Sequence, residues 1–209
     1  LVLFLYNVFT ANYFSLFAQC DRLVWSEEFN GTGLDRNIWD FKFGTTYDGL
    51  HYFTDRTENA EVSGGTLKII AREESYMGSD YTSAYIFTDK TVGWRYGRIE
   101  ASIKMPSTPG FVPAFWMMPI NDKYGWWPRS GEIDIVEHVT TWPGFIGSGV
   151  HFEEGNTAGS VTIPDCATDF HLYAIEWNED EILFFVDNNH YLTVINDNAG
   201  SAQWPFDQP

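Results

Sequence analysis

The sequence predicts an all-β protein, a β-sandwich of two stacked antiparallel sheets, and three observations carry that expectation. Aromatic residues make up 18% of the chain, with 9 Trp, 11 Tyr and 17 Phe among 209 residues, and flat rings pack well on pleated surfaces. Helix-period patterning is nearly absent. In its place, short apolar runs recur between turn residues at the spacing of a sandwich or barrel. A sandwich is preferred because stacked sheets bury alternating residues and leave one curved face free.

The runs that read as strands are, in order, 67–72, 83–88, 97–105, 112–118, 132–138, 147–152, 171–178 and 181–187. Between them Ser63-Gly64-Gly65, the segment 106–110, Pro143-Gly144 and Asp187-Asn188-Asn189 carry turn chemistry. Trp177-Asn178-Glu179-Asp180-Glu181, followed by ILFFVD, reads as a hairpin. The chain stops at PFDQP, in loop-like sequence, and the expectation is that C-terminal strands covering a sheet edge are missing.

A chain of 209 residues fits one domain with a substantial core. Its first nineteen residues, LVLFLYNVFTANYFSLFAQ, are uncharged and mostly apolar. They predict a signal peptide over residues 1–19, lacking its basic start, ahead of a domain over 20–209. A membrane anchor is the alternative by length, weakened by Asn7, Thr10, Asn12 and Ser15. The expectation is a secreted, extracellular monomer with no stable membrane insertion after cleavage. Cys20 and Cys166 are either one disulfide or two free thiols. The net charge of −17, with only 12 Lys and Arg, repels phosphate backbones and anionic membranes, so nucleic acid is excluded as a partner and a neutral ligand is expected.

The stretch SGEIDIVEH, residues 130–138, poses a parity problem. In a regular strand Glu132 and Asp134 share a face while Glu137 points to the core, and Val136 is stranded among the acids. A buried unpaired carboxylate costs several kcal/mol. A β-bulge near Ile135 and Val136 resets the parity and returns Glu137 to the face of the other two. On a concave sheet, two glutamates leaning inward approach to roughly 5–6 Å, the separation of a glycosidase that retains configuration. Like charges this close cannot all ionise, so one glutamate is expected to hold its proton near neutral pH and serve as acid. A hydrated acidic strand or a calcium cluster is the alternative. Upstream, YGWWPRSG sets Trp126 and Trp127 in a Pro/Gly loop, where large rings suit the apolar faces of sugars.

SGEIDIVE preceded by YGWWPR resembles the catalytic signature of glycoside hydrolase family 16 in its bulged Glu-x-Asp-x-x-Glu form. That form is similar to laminarinases (endo-β-1,3-glucanases), agarases and carrageenases; lichenases and xyloglucan transferases have the shorter, unbulged spacing. LVWSEEFNGTGLD, TENAEVSGGTLKIIAR, YGRIEASIKMP, PAFWMMP, FHLYAIEW and PFDQP resemble laminarinase-like members in the same order. The resemblance implies a concanavalin A-like jelly roll of two curved antiparallel sheets with an open cleft, acting on β-glucan. By motif position Glu132 resembles the nucleophile, Glu137 the acid/base and Asp134 the residue supporting both. Asn59, Arg98, Trp116, Trp126, Trp127 and His151 match positions that line the cleft. Several keep a structural alternative: Trp116 in the core, Arg98 paired with Glu100, His151 as a satisfied strand histidine, Trp142 as loop packing. His138 and His171 read as structural. The resemblance implies no cofactor for catalysis and no catalytic metal. Some members bind structural calcium through positions like Glu28 and Gly65 and a C-terminal Asp. Mixed-linkage glucan, agar or carrageenan as the polymer, and a non-catalytic β-glucan-binding role, are the alternatives; the net charge disfavours carrageenan.

Overall fold

The structure, a computed structural model, describes residues 2–8, 20–45, 49–88 and 93–209. The described residues are all-β, with eighteen strands and no helix. They divide into two compact units, one essentially residues 27–93 and the other 3–26 with 94–209.

The larger unit opens with β1 (Val2–Val8) and β2 (Cys20–Glu27). The smaller unit holds eight short strands: β3 (Trp39–Phe41), β4 (Gly44–Thr45), β5 (His51–Phe53), β6 (Ala60–Ser63), β7 (Thr66–Ile69), β8 (Arg72–Tyr76), β9 (Ser79–Ser83) and β10 (Ile86–Thr88). They form a four-stranded sheet β4-β5-β9-β8 and two pairs, β10-β3 and β6-β7. The β5–β9 pairing is parallel. Phe41, Ala60 and Ala84, with Leu34 and Ile86 packed on them, make its apolar centre. The apolar run 67–72 predicted as one strand is two: Ile70 leaves the ladder to donate its N–H to the Asn59 carbonyl.

The larger unit continues with β11 (Gly97–Ile103), β12 (Ala114–Met117), β13 (Glu132–Glu137), β14 (Phe145–Phe152), β15 (Gly155–Thr162), β16 (His171–Trp177), β17 (Glu181–Val186) and β18 (Asn189–Ile195). A six-stranded sheet in the order β18-β17-β16-β11-β1-β2 faces a four-stranded sheet in the order β12-β13-β14-β15. Leu192 of β18 packs against Gly159 of β15 across the interior. Ile99, Ile135, Ile146, Ile175, Ile182 and Phe184 are buried between the sheets, each worth about 1.5–3 kcal/mol of transfer free energy. Apolar alternation on β11, β16 and β17 thus becomes one wall of a sandwich core, as predicted.

Turns follow their side chains. Asn178 accepts the backbone N–H groups of Asp180 and Glu181, closing the β16–β17 hairpin foreseen from the sequence. Asp187 and Asn188 both have positive φ, 50° and 63°, which suits a two-residue type I′ hairpin between β17 and β18. The strand after that turn was not foreseen, nor was β15, whose GNTAGSVT lacks an apolar alternation. Of the residues assigned to a signal peptide, 1 and 9–19 lie outside the described residues, and Val2–Val8 runs as a strand between β11 and β2. Cys166 is a buried free thiol.

The WPFDQP segment is a buried clamp. Trp177 donates its indole N–H to the Phe206 carbonyl at 3.0 Å, and Gln208 donates to the Ser130 carbonyl at 3.0 Å. Asp207 accepts from the Tyr124 hydroxyl and pairs with Lys123 at 2.9 Å. Gly131, at φ +89°, lies so close to Pro205 and Phe206 that an added Cβ would sit 2.8–2.9 Å from their rings. The segment holds the loop leading into β13.

Candidate active site

Strand β13 carries the bulge. Against β12, Asp134 pairs with Trp116 and Val136 with Phe115, so Ile135 is skipped. Against β14, Glu132 pairs with His151, Asp134 with Gly149 and Glu137 with Gly147. Three steps along β13 match two along β14, and β14 itself stays in regular register with β15. Residues 147, 149 and 151 therefore share one face, and so do their partners Glu137, Asp134 and Glu132. The consecutive Ile135 and Val136 are both buried, at 1% and 0% exposure. The extra residue thus removes both faults at once: the third acid leaves the core and the valine enters it.

The acids are electrostatically linked. Asp134 is buried, and its carboxyl is pushed up to about 8 by burial, then by the charges of Glu132 and Glu137, then by a hydrogen bond to Glu132. Asp134 sits deepest and between two like charges, and both disfavour its ionised form. Trp127 donates its indole N–H to Glu132 Oε2 at 2.6 Å. His151 brings Nε2 to 3.3 Å from Asp134 Oδ2, and its ring lies 6.1 Å from that of Trp127. Trp127, His151, Glu132 and Asp134 thus form one connected group.

The surroundings suit a flat, neutral ligand. Gly147 and Gly149 pair with Glu137 and Asp134 and are buried: a Cβ at Gly147 would meet the Phe145 ring at 3.2 Å, and one at Gly149 the Thr157 carbonyl at 2.7 Å. Trp116 is half-buried on the face of Asp134, its cross-strand partner. Trp126 and Trp127 are 84% and 57% exposed, and Trp142, braced edge-on by Phe145, is 59% exposed. Rings this open gain little in water and much against a sugar face. His138 is buried, with Nδ1 at 2.6 Å from the Phe145 carbonyl, and His171 contacts Asp187 at 2.7 Å.

Two residues expected to bind substrate are committed to other bonds. Arg98 is buried on β11 of the six-stranded sheet, where Nε donates to Glu100 at 2.6 Å, Nη1 to Glu176 at 2.9 Å and Nη2 to Asn188 at 2.8 Å. Its guanidinium is spent on its own sheet. Asn59 has no exposed surface. Its amide donates to the Ile70 carbonyl and Thr82, and its oxygen accepts from Thr54 and Arg56. A side chain so committed and so buried cannot touch a substrate; it ties together the smaller unit. Sequence reasoning missed Ser148 and Tyr191, which support the bulge from behind. Among the described residues no three Asp, Glu, His or Cys side chains converge as metal ligands.

A bulged strand presenting three linked carboxylates, with the open Trp127 bonded to one of them on a β-sandwich, points to an enzyme that cleaves glycosidic bonds. The comparisons with known proteins agree. The chain belongs to the glycosyl hydrolases family 16, whose family model matches residues 49–209, and its fold is that family's jelly roll. It is 44% identical over 205 residues to a "Beta-glucanase" of Rhodothermus marinus, covering 90% of this chain and 72% of that protein. The X-ray structure of the laminarinase from Rhodothermus marinus superposes with a TM-score of 0.85 at 44% identity, over 89% of this chain and 81% of that one. The "Clotting factor G alpha subunit" of Tachypleus tridentatus is 40% identical over 83% of this chain, which spans only 26% of that longer protein.

Proposed function

We propose that the protein is a secreted, retaining endo-hydrolase of β-1,3-glucan that works by double displacement. The observation that carries this reading is the bulge, which sets Glu132, Asp134 and Glu137 on one open face. Glu132 attacks the anomeric carbon as the bond to the leaving oxygen breaks, and Glu137 gives that oxygen its proton. Water then attacks the same carbon, returning a proton to Glu137 and releasing Glu132. The Trp127 indole N–H steadies the Glu132 oxygen it bonds, and protonated Asp134 adds no third negative charge beside the two glutamates.

The β-1,3 linkage is supported by the laminarinase and β-glucanase relatives, and a neutral polymer suits a net charge of −17. Export rests on the uncharged apolar run at residues 1–19. A polysaccharide panel with product analysis by NMR tests polymer and stereochemistry together. Laminarin cleaved with the β-anomer formed first is the expected result; initial α-product sinks the retaining mechanism. Glu132→Gln and Glu137→Gln are expected to abolish laminarin hydrolysis, a loss of at least about a hundredfold, while glucan binding survives. Full activity in both variants overturns the reading.

A further inference from the structure

The bulge creates a polar debt inside the core. Ile135 is in register with no residue of β12 or β14, and a buried carbonyl left without a hydrogen bond costs about 1–3 kcal/mol. Ser148, on the core-facing parity of β14 and 3% exposed, donates its hydroxyl to that carbonyl at 2.7 Å. The Ser148 oxygen also lies 2.8 Å from the Gly147 carbonyl. On its other side it meets the Tyr191 hydroxyl.

Tyr191 belongs to the opposite sheet, and it reaches Ser148 through a second bulge. Phe184 pairs with Leu192 and Phe185 with His190, so Tyr191 is the skipped residue of β18. A bulge re-aims the side chain of its extra residue, and this one aims a phenol through the core at the back of β13. The direction of the bonds follows from counting protons. A serine hydroxyl has one hydrogen; the Ile135 and Gly147 carbonyls can only accept it, and the Ile135 contact is the shorter, 2.7 against 2.8 Å. The phenol, pushed up to about 12 by burial, keeps its proton and donates to the Ser148 oxygen.

We infer that Ser148 and Tyr191 are positioning residues that hold the β13 bulge in register, and through it set Glu137 as proton donor to the leaving group. The relay runs Tyr191 O–H to Ser148 Oγ, then Ser148 O–H to Ile135 O=C, two residues before Glu137. Without it the bulge can relax into a regular strand, and that one-residue slip turns Glu137 away. This rests on the proposed role of Glu137 as acid/base.

The test compares two leaving groups. Laminarin needs a proton on its leaving oxygen, whereas a 2,4-dinitrophenyl β-laminaribioside departs without one. Ser148→Ala and Tyr191→Phe are expected to lower kcat/KM on laminarin by about ten- to a hundredfold, since a displacement near 1 Å suffices for that. On the dinitrophenyl substrate kcat/KM should stay within about twofold, because it reports the first step alone. Tyr191→Phe removes a single oxygen and keeps the ring, so it guards against a simple folding failure of Ser148→Ala. An equal fall on both substrates, or no fall on either, overturns the inference. Glu137→Gln is the control for the underlying reading: it should lose laminarin and keep the dinitrophenyl substrate. Equal loss of both in that control refutes the acid/base role itself, whatever the other variants do.

Discussion

Two clusters of buried charge lie on the two sheets of the larger unit, and they are built to opposite ends. On the six-stranded sheet, Glu100 and Glu176 meet the Arg98 guanidinium at 2.6 and 2.9 Å. Every donor direction of the arginine that faces them is used, and Asn188 takes one more. On the four-stranded sheet, Asp134 is as deeply buried, but the charges pressing on it are those of Glu132 and Glu137. One cluster pairs opposite charges. The other crowds like charges and keeps a proton. Burial of charge is structural where it is compensated, and chemical where it is not.

Breaking the compensated cluster should have the largest effect on stability. Arg98→Met leaves Glu100 and Glu176 buried without their partner, and unfolding free energy is expected to drop by about 3–5 kcal/mol in denaturant titrations. The folded fraction should retain its kcat/KM on laminarin within about threefold. A selective loss of turnover with unchanged stability would return Arg98 to the cleft.

Relieving the uncompensated cluster should act in the other direction. The folded-state value of Asp134 is raised to about 8, above the ordinary carboxylate range near 4. Between those values the folded protein holds a proton that the unfolded chain has lost. That contribution to stability is therefore intact at low pH and declines as pH rises toward about 8, by at most about 1.4 kcal/mol per unit. Asp134→Asn should flatten this decline, so that its Tm exceeds that of the wild type most at alkaline pH, while laminarin turnover falls. A variant with the wild-type pH dependence of Tm would place the proton elsewhere. The smallest effect is expected from Trp126→Ala, whose ring is 84% exposed. It should weaken laminarin-oligosaccharide affinity by about tenfold, read by calorimetry on a Glu132→Gln background, and leave stability within about 0.5 kcal/mol.

The contrast between the clusters also marks how far the sequence could be read. Glu132, Asp134 and Glu137 were legible together because strand parity is binary, and a single misplaced Val136 was enough to demand a bulge. Trp126 and Trp127 were legible because large rings in a Pro/Gly loop have little reason to be there without a ligand. Arg98 and Asn59 were misread because their positions were matched by resemblance, which carries no information on which way a side chain turns. Arg98 sits at a position whose burial depends on Glu176, 78 residues away. Ser148 and Tyr191 gave no signal: a serine among glycines and a tyrosine in NHYLTV are ordinary strand residues until two bulges align them. Strand β15 was illegible for a simpler reason. Its exposed, Gly- and Thr-rich sequence is held by its neighbour β14, not by its own pattern.

The bulge at Ile135 also has an evolutionary consequence. Point substitution can exchange any of the residues around it, yet none can add or remove a position in a strand. Passing between the longer and the shorter spacing of these acids requires loss or gain of a whole codon, with Ser148 and Tyr191 left facing a carbonyl that is no longer free. Lineages carrying the two spacings are thus separated by a step that gradual change cannot divide.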